Sequence, residues 1–473
     1  MTLFMSEPGD NGLPGKQRLF AMLAVMVTTA MNVFDGSMIN IALPQMAKSL
    51  GVSASDAVWV ANGYLLAVAM SLAIFSALAT RIGFRKQFIC GLIVFTLSSA
   101  GCALSSSLSQ LVVMRYIQGI GGAATLSIAP ALLRTIFPSR LLGRILGLNA
   151  LLIATCTAIA PLISGTLLVT LNWSWLFMIN VPLGIVAIAF AKQFLPKPEQ
   201  LDTRPLDKIG SLLSVIMLGS TILCANAFSK HGSGYHEQQA FLYAITALVS
   251  GVAFIFHQRK STAPLFPLDM FSNQRFSLSA MTSFVSFIAQ GITFIALPFL
   301  YESVYGYSPL TSALLFLPWP VGIMLTAPHA GRLADKKSPP IISTFGLIVF
   351  GVGLLLLIGL PSTPSVLDII WRSLVCGVGF GLFQSPNNRE MMANVDEKYS
   401  SFASGVLAMM RTFGQCLGTA IIGIMLSQAD FVNSEQTPFS AANAVHLGLW
   451  FASGAVLLAS LLSVSRLKRA AST

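Results

Sequence analysis

One acid in this sequence stands where its charge is hardest to keep. Asp35 lies in "VFDGSMINIALP", Val33 to Pro44, inside an apolar run that begins near Leu19. That is about sixteen residues into the run, or about 24 Å along it if the run is helical. An ionised side chain at the centre of a membrane helix costs about 2.5 to 3.5 kcal/mol, so it is expected to face water or a partner and to have a function. Thr28, Asn32 and Asp35 recur at intervals of four and three, the spacing of one helical face. A carboxylate so placed can hold either a proton or a cationic ligand, and competition between the two is the chemistry of exchange. Arg115, in a later apolar run, keeps its proton at any useful pH, so it serves by tuning an acid or holding water. The structural alternative is a carboxylate locked to Arg115 or to helix hydroxyls, and an arginine pinned to backbone carbonyls.

The setting of these residues follows from composition. Of 473 residues 55% are hydrophobic and only 10% charged, with a mean hydropathy of +0.76. These values describe an integral membrane protein. Spanning the hydrocarbon takes roughly 20 apolar residues. Fourteen such windows begin near Leu19, Ala57, Phe88, Ser109, Gly143, Trp173, Ile209, Ala240, Phe276, Pro309, Ile341, Val366, Phe402 and Ala441. Unbroken apolar runs predict helices, since barrel strands would alternate.

The net charge of +11 has a topological origin. With a cytoplasmic N-terminus, only Lys48 and Lys230 fall on the far side and Arg115, Arg372 and Arg411 inside windows; every other Lys and Arg of the 28 is cytoplasmic. This bias predicts both termini inside the cytoplasmic (inner) membrane, with no nucleic-acid partner. Six cysteines lack ligand spacing and read as small packed hydrophobes. The sequence contains no Gly-x4-Gly-Lys-Ser/Thr, His-Glu-x-x-His or Gly-x-Ser-x-Gly motif. No ATP, metal, cofactor or enzymatic chemistry is therefore expected.

The chain repeats itself. "INIALPQMAKSLGVS" at Ile39 returns as "TFIALPFLYESVYGYS" at Thr293, and "RYIQGIGGAATLSIAP" at Arg115 as "RSLVCGVGFGLFQSP" at Arg372. The expected architecture is all-α: residues 1–200 as a first six-helix bundle, 201–265 as a two-helix insert, and 266–473 as a second six-helix bundle. Parallel repeats of this kind bind substrate near the midplane where the halves meet. Glycine clusters such as "GVGFG" at Gly377 are expected to be close-packing surfaces.

"FDGSMINIALP", "WVANGYLLA" from Trp59, "MRYIQGIGGAA" from Met114, "WSWLFMINVPLG" from Trp173 and "PLFPLDMFSNQRFS" together resemble the major facilitator superfamily, specifically its fourteen-helix drug:proton antiporters. The resemblance implies export of amphipathic or cationic toxic compounds in exchange for protons. Asp35 and Arg115 are then the proton-coupling pair. Thr28, Asn32, Tyr64, Phe287, Gln290, Phe294, Trp319 and Arg411 are candidates to contact substrate; each aromatic has helix or lipid packing as its alternative. The superfamily's loop motif resembles "SALATRIGFRK", with Ser76 and Thr80 replacing its glycine and aspartate; "GRLADKK" in the second half keeps Asp335. Gly83, Arg85, Lys86, Gly331, Asp335 and Lys336 are the gating candidates, with Pro161 of "APLISG" as a helix kink. The implied partners are a small-molecule substrate, protons and the bilayer, for a monomer that needs only the proton gradient. Proton-coupled uptake of a small metabolite, or a transport-inactive membrane receptor, are the alternatives.

Overall fold

The computed structural model describes residues 12–138, 141–196, 205–229, 234–261, 264–265, 268–395, 400–432 and 441–470. Among them there is no strand. Fourteen helices are long and apolar enough to cross a membrane. In order they are α1 (Gly15–Leu50), α2 (Ala54–Ile82), α3 (Phe84–Ala103), α4 (Leu108–Ile136), α5 (Leu151–Thr170), α6 (Trp175–Phe194) and α7 (Lys208–Ala225). Then follow α8 (Gln238–Lys260), α9 (Gln274–Val304), α10 (Pro309–Ala334), α11 (Pro339–Ile358), α12 (Val366–Ala393), α13 (Gly405–Ser427) and α14 (Ala442–Leu467). Each expected window is one of these helices. An even number of crossings puts both termini at the same end of the bundle.

Short polar residues start several of the helices. Ser53 accepts from the backbone N–H of Asp56 at 3.0 Å, Ser308 from Thr311 at 3.2 Å ahead of Pro309, and Asn273 from Arg275 and Phe276 at 3.0 and 3.3 Å. These caps satisfy donors that a helix end leaves open. Gly83, at φ 88°, ends α2 and opens α3 in a conformation that a side chain would strain.

The repeat seen in the sequence returns as a repeat of packing. In the first half α1 lies on α5 and α6, α2 on α4, and α3 on α4 and α6; in the second α9 lies on α13 and α14, α10 on α12, and α11 on α12 and α14. Between halves α2 meets α13 as α5 meets α10. Glycines let these helices close. A methyl on Gly377 would come within 2.1 Å of the Trp319 carbonyl oxygen, and one on Gly379 within 2.3 Å of the Phe350 nitrogen. The "GVGFG" cluster is thus a packing surface. Helix α7 lies across both α2 and α13, and α8 packs on α7.

The two ends of the bundle differ. Residues of α1 beyond Asp35, from Met38 to Met46, join Val58, Val60 and Phe177 of the first half and Ile292, Phe299, Phe316 and Ile422 of the second in one continuous apolar core. Towards the termini the core divides. Ala21 to Met31, Tyr64, Phe88, Leu132 and Ala187 form a first-half core in which Ala408 is the second-half neighbour. Phe276, Ala280, Met391 and Val406 form another with Leu218, Phe254 and Ala73. At the end away from the termini the halves share one core, and at the end that carries them the core is divided, with Ala73 and Ala408 crossing between halves.

Candidate functional site

Helix α1 presents two different faces. Met26, Ala30, Val33, Ser37 and Asn40 are half-buried and recur with helical spacing, and a methyl on Gly36 would meet nothing within 4 Å. This face is the less tightly packed one. Thr28, Asn32 and Asp35 lie on the other face, all buried.

Asp35 is 1% exposed and sits in a network supplied by four other helices. The Arg115 guanidinium on α4 donates to Asp35 Oδ2. Gln118, one turn along α4, donates to Oδ1 at 2.9 Å, and Asn180 of α6 donates to the same oxygen at 3.3 Å. Arg115 is itself fixed: its Nε donates to the Val60 carbonyl at 2.8 Å and Nη1 to Gln118 Oε1 at 2.7 Å. Its guanidinium carbon lies 4.4 Å from the Tyr64 ring and 5.6 Å from that of Phe177. Gln118 also donates to Ser99 at 2.8 Å, so every member has partners. A buried charge is tolerable only when paired and hydrogen-bonded in this way.

The expected alternatives for Asp35 were water or a partner, and in this conformation it has the partner. Thr28 donates to the Ala24 carbonyl at 2.8 Å; Asn32 donates to Thr125 at 3.3 Å and accepts from Tyr64 at 3.3 Å. All three are buried, and the bonds of Asn32 tie α1 to Thr125 of α4 and Tyr64 of α2 beside the Asp35 network. The sequence spacing identified their shared face correctly but not what that face meets.

On the second half, Gln290 accepts from Gln415 at 2.9 Å, and Arg411 lies 5.8 Å over the Phe287 ring. Two of the aromatic candidates show the helix packing that was their alternative. Phe287 and Trp319 are buried in a chain of edge-to-face contacts through Phe380 and Phe350, with centroids 5.4 to 5.5 Å apart. Ring-edge packing is their role here. Phe294, half-buried, closes on Trp319 at 5.5 Å and Phe316 at 5.0 Å. The half-buried stack of Phe284 on Phe413, 5.7 Å apart, offers the more accessible aromatic surface.

The gating candidates other than Pro161 sit at the terminus end. Arg85 donates to the Lys192 carbonyl at the end of α6, Lys86 is exposed, and Gly331 faces Ser385 closely enough that a methyl would lie 2.9 Å from its Oγ. Pro161 is buried in α5, one turn before Ser164, which donates to the Met38 carbonyl of α1 at 2.9 Å. The side chains of Asp335 and Lys336 lie outside the described residues.

Several polar residues carry no signal in the sequence. Gln118 and Asn180 are uncharged and do not interrupt an apolar run. Glu302 and Glu390, both buried, fall near the ends of apolar windows, where acids are ordinary. Arg466 is buried as well and donates to Ser279 and Asn387, each at 2.8 Å.

Residues 25–419 match the family profile described as Major Facilitator Superfamily. The chain is 39% identical over 425 residues to the "Uncharacterized transporter YebQ" of Escherichia coli K12, covering 90% of this chain and 92% of that one. It is 25% identical to the "Riboflavin transporter RibZ" of Clostridioides difficile 630, with 95% and 97% covered. It is also 25% identical to the "Multidrug export protein EmrB" of Escherichia coli K12, with 90% and 83% covered. Among solved structures, a POT family transporter superimposes with a TM-score of 0.70 over 95% of this chain and 96% of its own, at 15% identity.

Proposed function

Since the chain belongs to the major facilitator superfamily, and is a multi-pass membrane transporter, we propose that it exchanges protons for amphipathic compounds, cationic ones among them, and exports them from the cytoplasm. The observation that carries this reading is the buried network around Asp35. An ionised Asp35 holds Arg115; protonation cancels that attraction and leaves the guanidinium to the partners it already has, Gln118, the Val60 carbonyl and the Tyr64 ring. The carboxylate then has two mutually exclusive states, and each favours a different packing of α1 against α4.

The positive-inside bias puts both termini in the cytoplasm. The conformation is then closed outside and parted inside, with Asp35 paired and the half-buried face of α1 open to cargo. Cargo would enter between that face and the Phe284–Phe413 stack. Rocking of one half on the other would turn the site outward, where Asp35 takes up a proton. One deep carboxylate gives one proton per cycle, and each charge crossing 100 mV contributes about 2.3 kcal/mol. The relatives named for multidrug export support the direction.

A second reading, proton-coupled uptake of a small metabolite, is favoured by the relative named as a riboflavin transporter. One assay separates the two. Proteoliposomes carrying an imposed pH gradient are offered a quaternary ammonium dye or riboflavin. Export predicts dye movement against the proton flow and dissipation of the gradient by dye alone; riboflavin accumulating in the direction of proton entry, with dye inert, would replace export by uptake.

A further inference from the structure

A second acid lies where the two halves close on each other. Glu302 sits in a π-helical turn, Leu300–Val304, at the end of α9. It is 5% exposed, and neither carboxylate oxygen has a hydrogen-bond partner among the described residues. Ser312 Oγ of α10 is beside it, buried and equally unpartnered. From the first half come Gln45 and Lys48, on the last turns of α1. Lys48 is the charged group facing Glu302; α9, α10 and α14, which also pack against the turn, bring no charged side chain to it among the described residues. With the termini in the cytoplasm, this cluster is part of the outer closure.

An ionised carboxylate with no well-formed hydrogen bond is expensive to bury beside only the neutral Gln45 and Ser312 side chains and Lys48, whereas a protonated one is neutral and can donate to Ser312 Oγ or to the Gln45 side-chain amide oxygen. Parting the halves at this end would return Glu302 to water, where the anion is well solvated. We propose that Glu302 is a second proton-binding residue: the outer closure takes up a proton at Glu302, and opening releases it. No bond other than O–H is made or broken, and the proton comes from and returns to the external water. This gives the transporter a closure sensitive to external pH. It requires the orientation given above but not Asp35 as the coupling acid.

The test measures the closure itself. Spin labels are placed at Ser106→Cys in the α3–α4 loop and Thr363→Cys in the α11–α12 loop, both exposed, in the full-length chain with its native cysteines replaced. The inter-label distance is followed from about pH 5 to about pH 9. Wild type is expected to pass from closed to open as pH rises, the population ratio changing about tenfold per pH unit within the step. Glu302→Gln, a neutral isostere, should stay closed throughout, while Asp35→Asn should keep the Glu302 step. Should Glu302→Gln fail to fold, Glu302→Asp carries the test, and its step must be displaced from that of wild type. A wild type without a step, a Glu302→Gln variant with the wild-type step, or an undisplaced step in Glu302→Asp would overturn the proposal. Loss of proton-driven transport is read separately, so failure of the exchange reading leaves this result interpretable.

Discussion

Arg115 donates from α4 to the carboxylate of Asp35 on α1, and the same guanidinium lies 4.4 Å from the ring of Tyr64 on α2. Three helices of the first half are thereby joined through one cation. Removing that cation leaves a buried, uncompensated carboxylate, a loss of about 3 to 5 kcal/mol. Arg115→Ala should lower the thermal unfolding midpoint in detergent markedly. Asp35→Asn combined with Arg115→Gln should recover most of it without recovering transport. Additive losses in the double variant would show that the two side chains are not coupled.

Gln118 bridges Asp35, Arg115 and Ser99. Gln118→Leu keeps the volume and removes the donors and acceptor, so the carboxylate and guanidinium each lose a partner. The expected cost is about 1 to 3 kcal/mol, read as a lower unfolding midpoint. Stability equal to wild type would mean that water or another side chain replaces the amide fully.

Close packing of α11 on α12 depends on the absence of a side chain at Gly379, whose added methyl would sit 2.3 Å from backbone nitrogen. Backbone cannot move aside as a flexible side chain can. Gly379→Ala should cost about 1 to 3 kcal/mol and reduce the folded yield, whereas Gly454→Ala, with nothing within 4 Å, should be neutral. Equal folded yields for the two variants would contradict this packing.

Much of this architecture is legible in the sequence because membrane insertion demands long apolar runs and charges a high cost for each exception. Fourteen spans, the internal repeat and the depth of Asp35 all follow from that demand. Hydropathy is blind to the face a residue presents. Thr28 and Asn32 share a stripe with Asp35, but only the fold shows the stripe turned into the first bundle. Trp319 and Phe287 are sealed among other rings, although as isolated aromatics they suit a ligand equally well. Gln118 and Asn180 are silent because an amide is cheap to bury once bonded. Glu302 is silent because "YESVYGYSP" resembles the start of a loop.

The insert has its own electrostatic tie. Asp207, just ahead of α7, accepts from the Gly210 backbone N–H at 2.8 Å, hydrogen-bonds His257 of α8 at 2.7 Å and accepts from Gln258 at 2.8 Å. Burial works against its charge, but the bonds from Gly210, His257 and Gln258 outweigh it and hold the carboxyl below the usual carboxylate range. An acid shifted down contributes stability that is present in full above the unfolded value and is lost as pH falls through the folded one. Asp207→Ala should therefore lower the unfolding midpoint at about pH 7, and the gap from wild type should close below about pH 4. A gap independent of pH would assign the effect to packing alone.

The exchange account rests on proton and cargo excluding each other through Asp35, whose ionised form holds Arg115. Purified protein in weakly buffered detergent, with Asp35 protonated at the start, is mixed with a transported quaternary ammonium compound while a pH indicator is followed. Release of about one proton per cation bound in wild type, and none in a folded Asp35→Asn variant, is the predicted result. Cation binding without proton release in wild type, or equal release in Asp35→Asn, would contradict it.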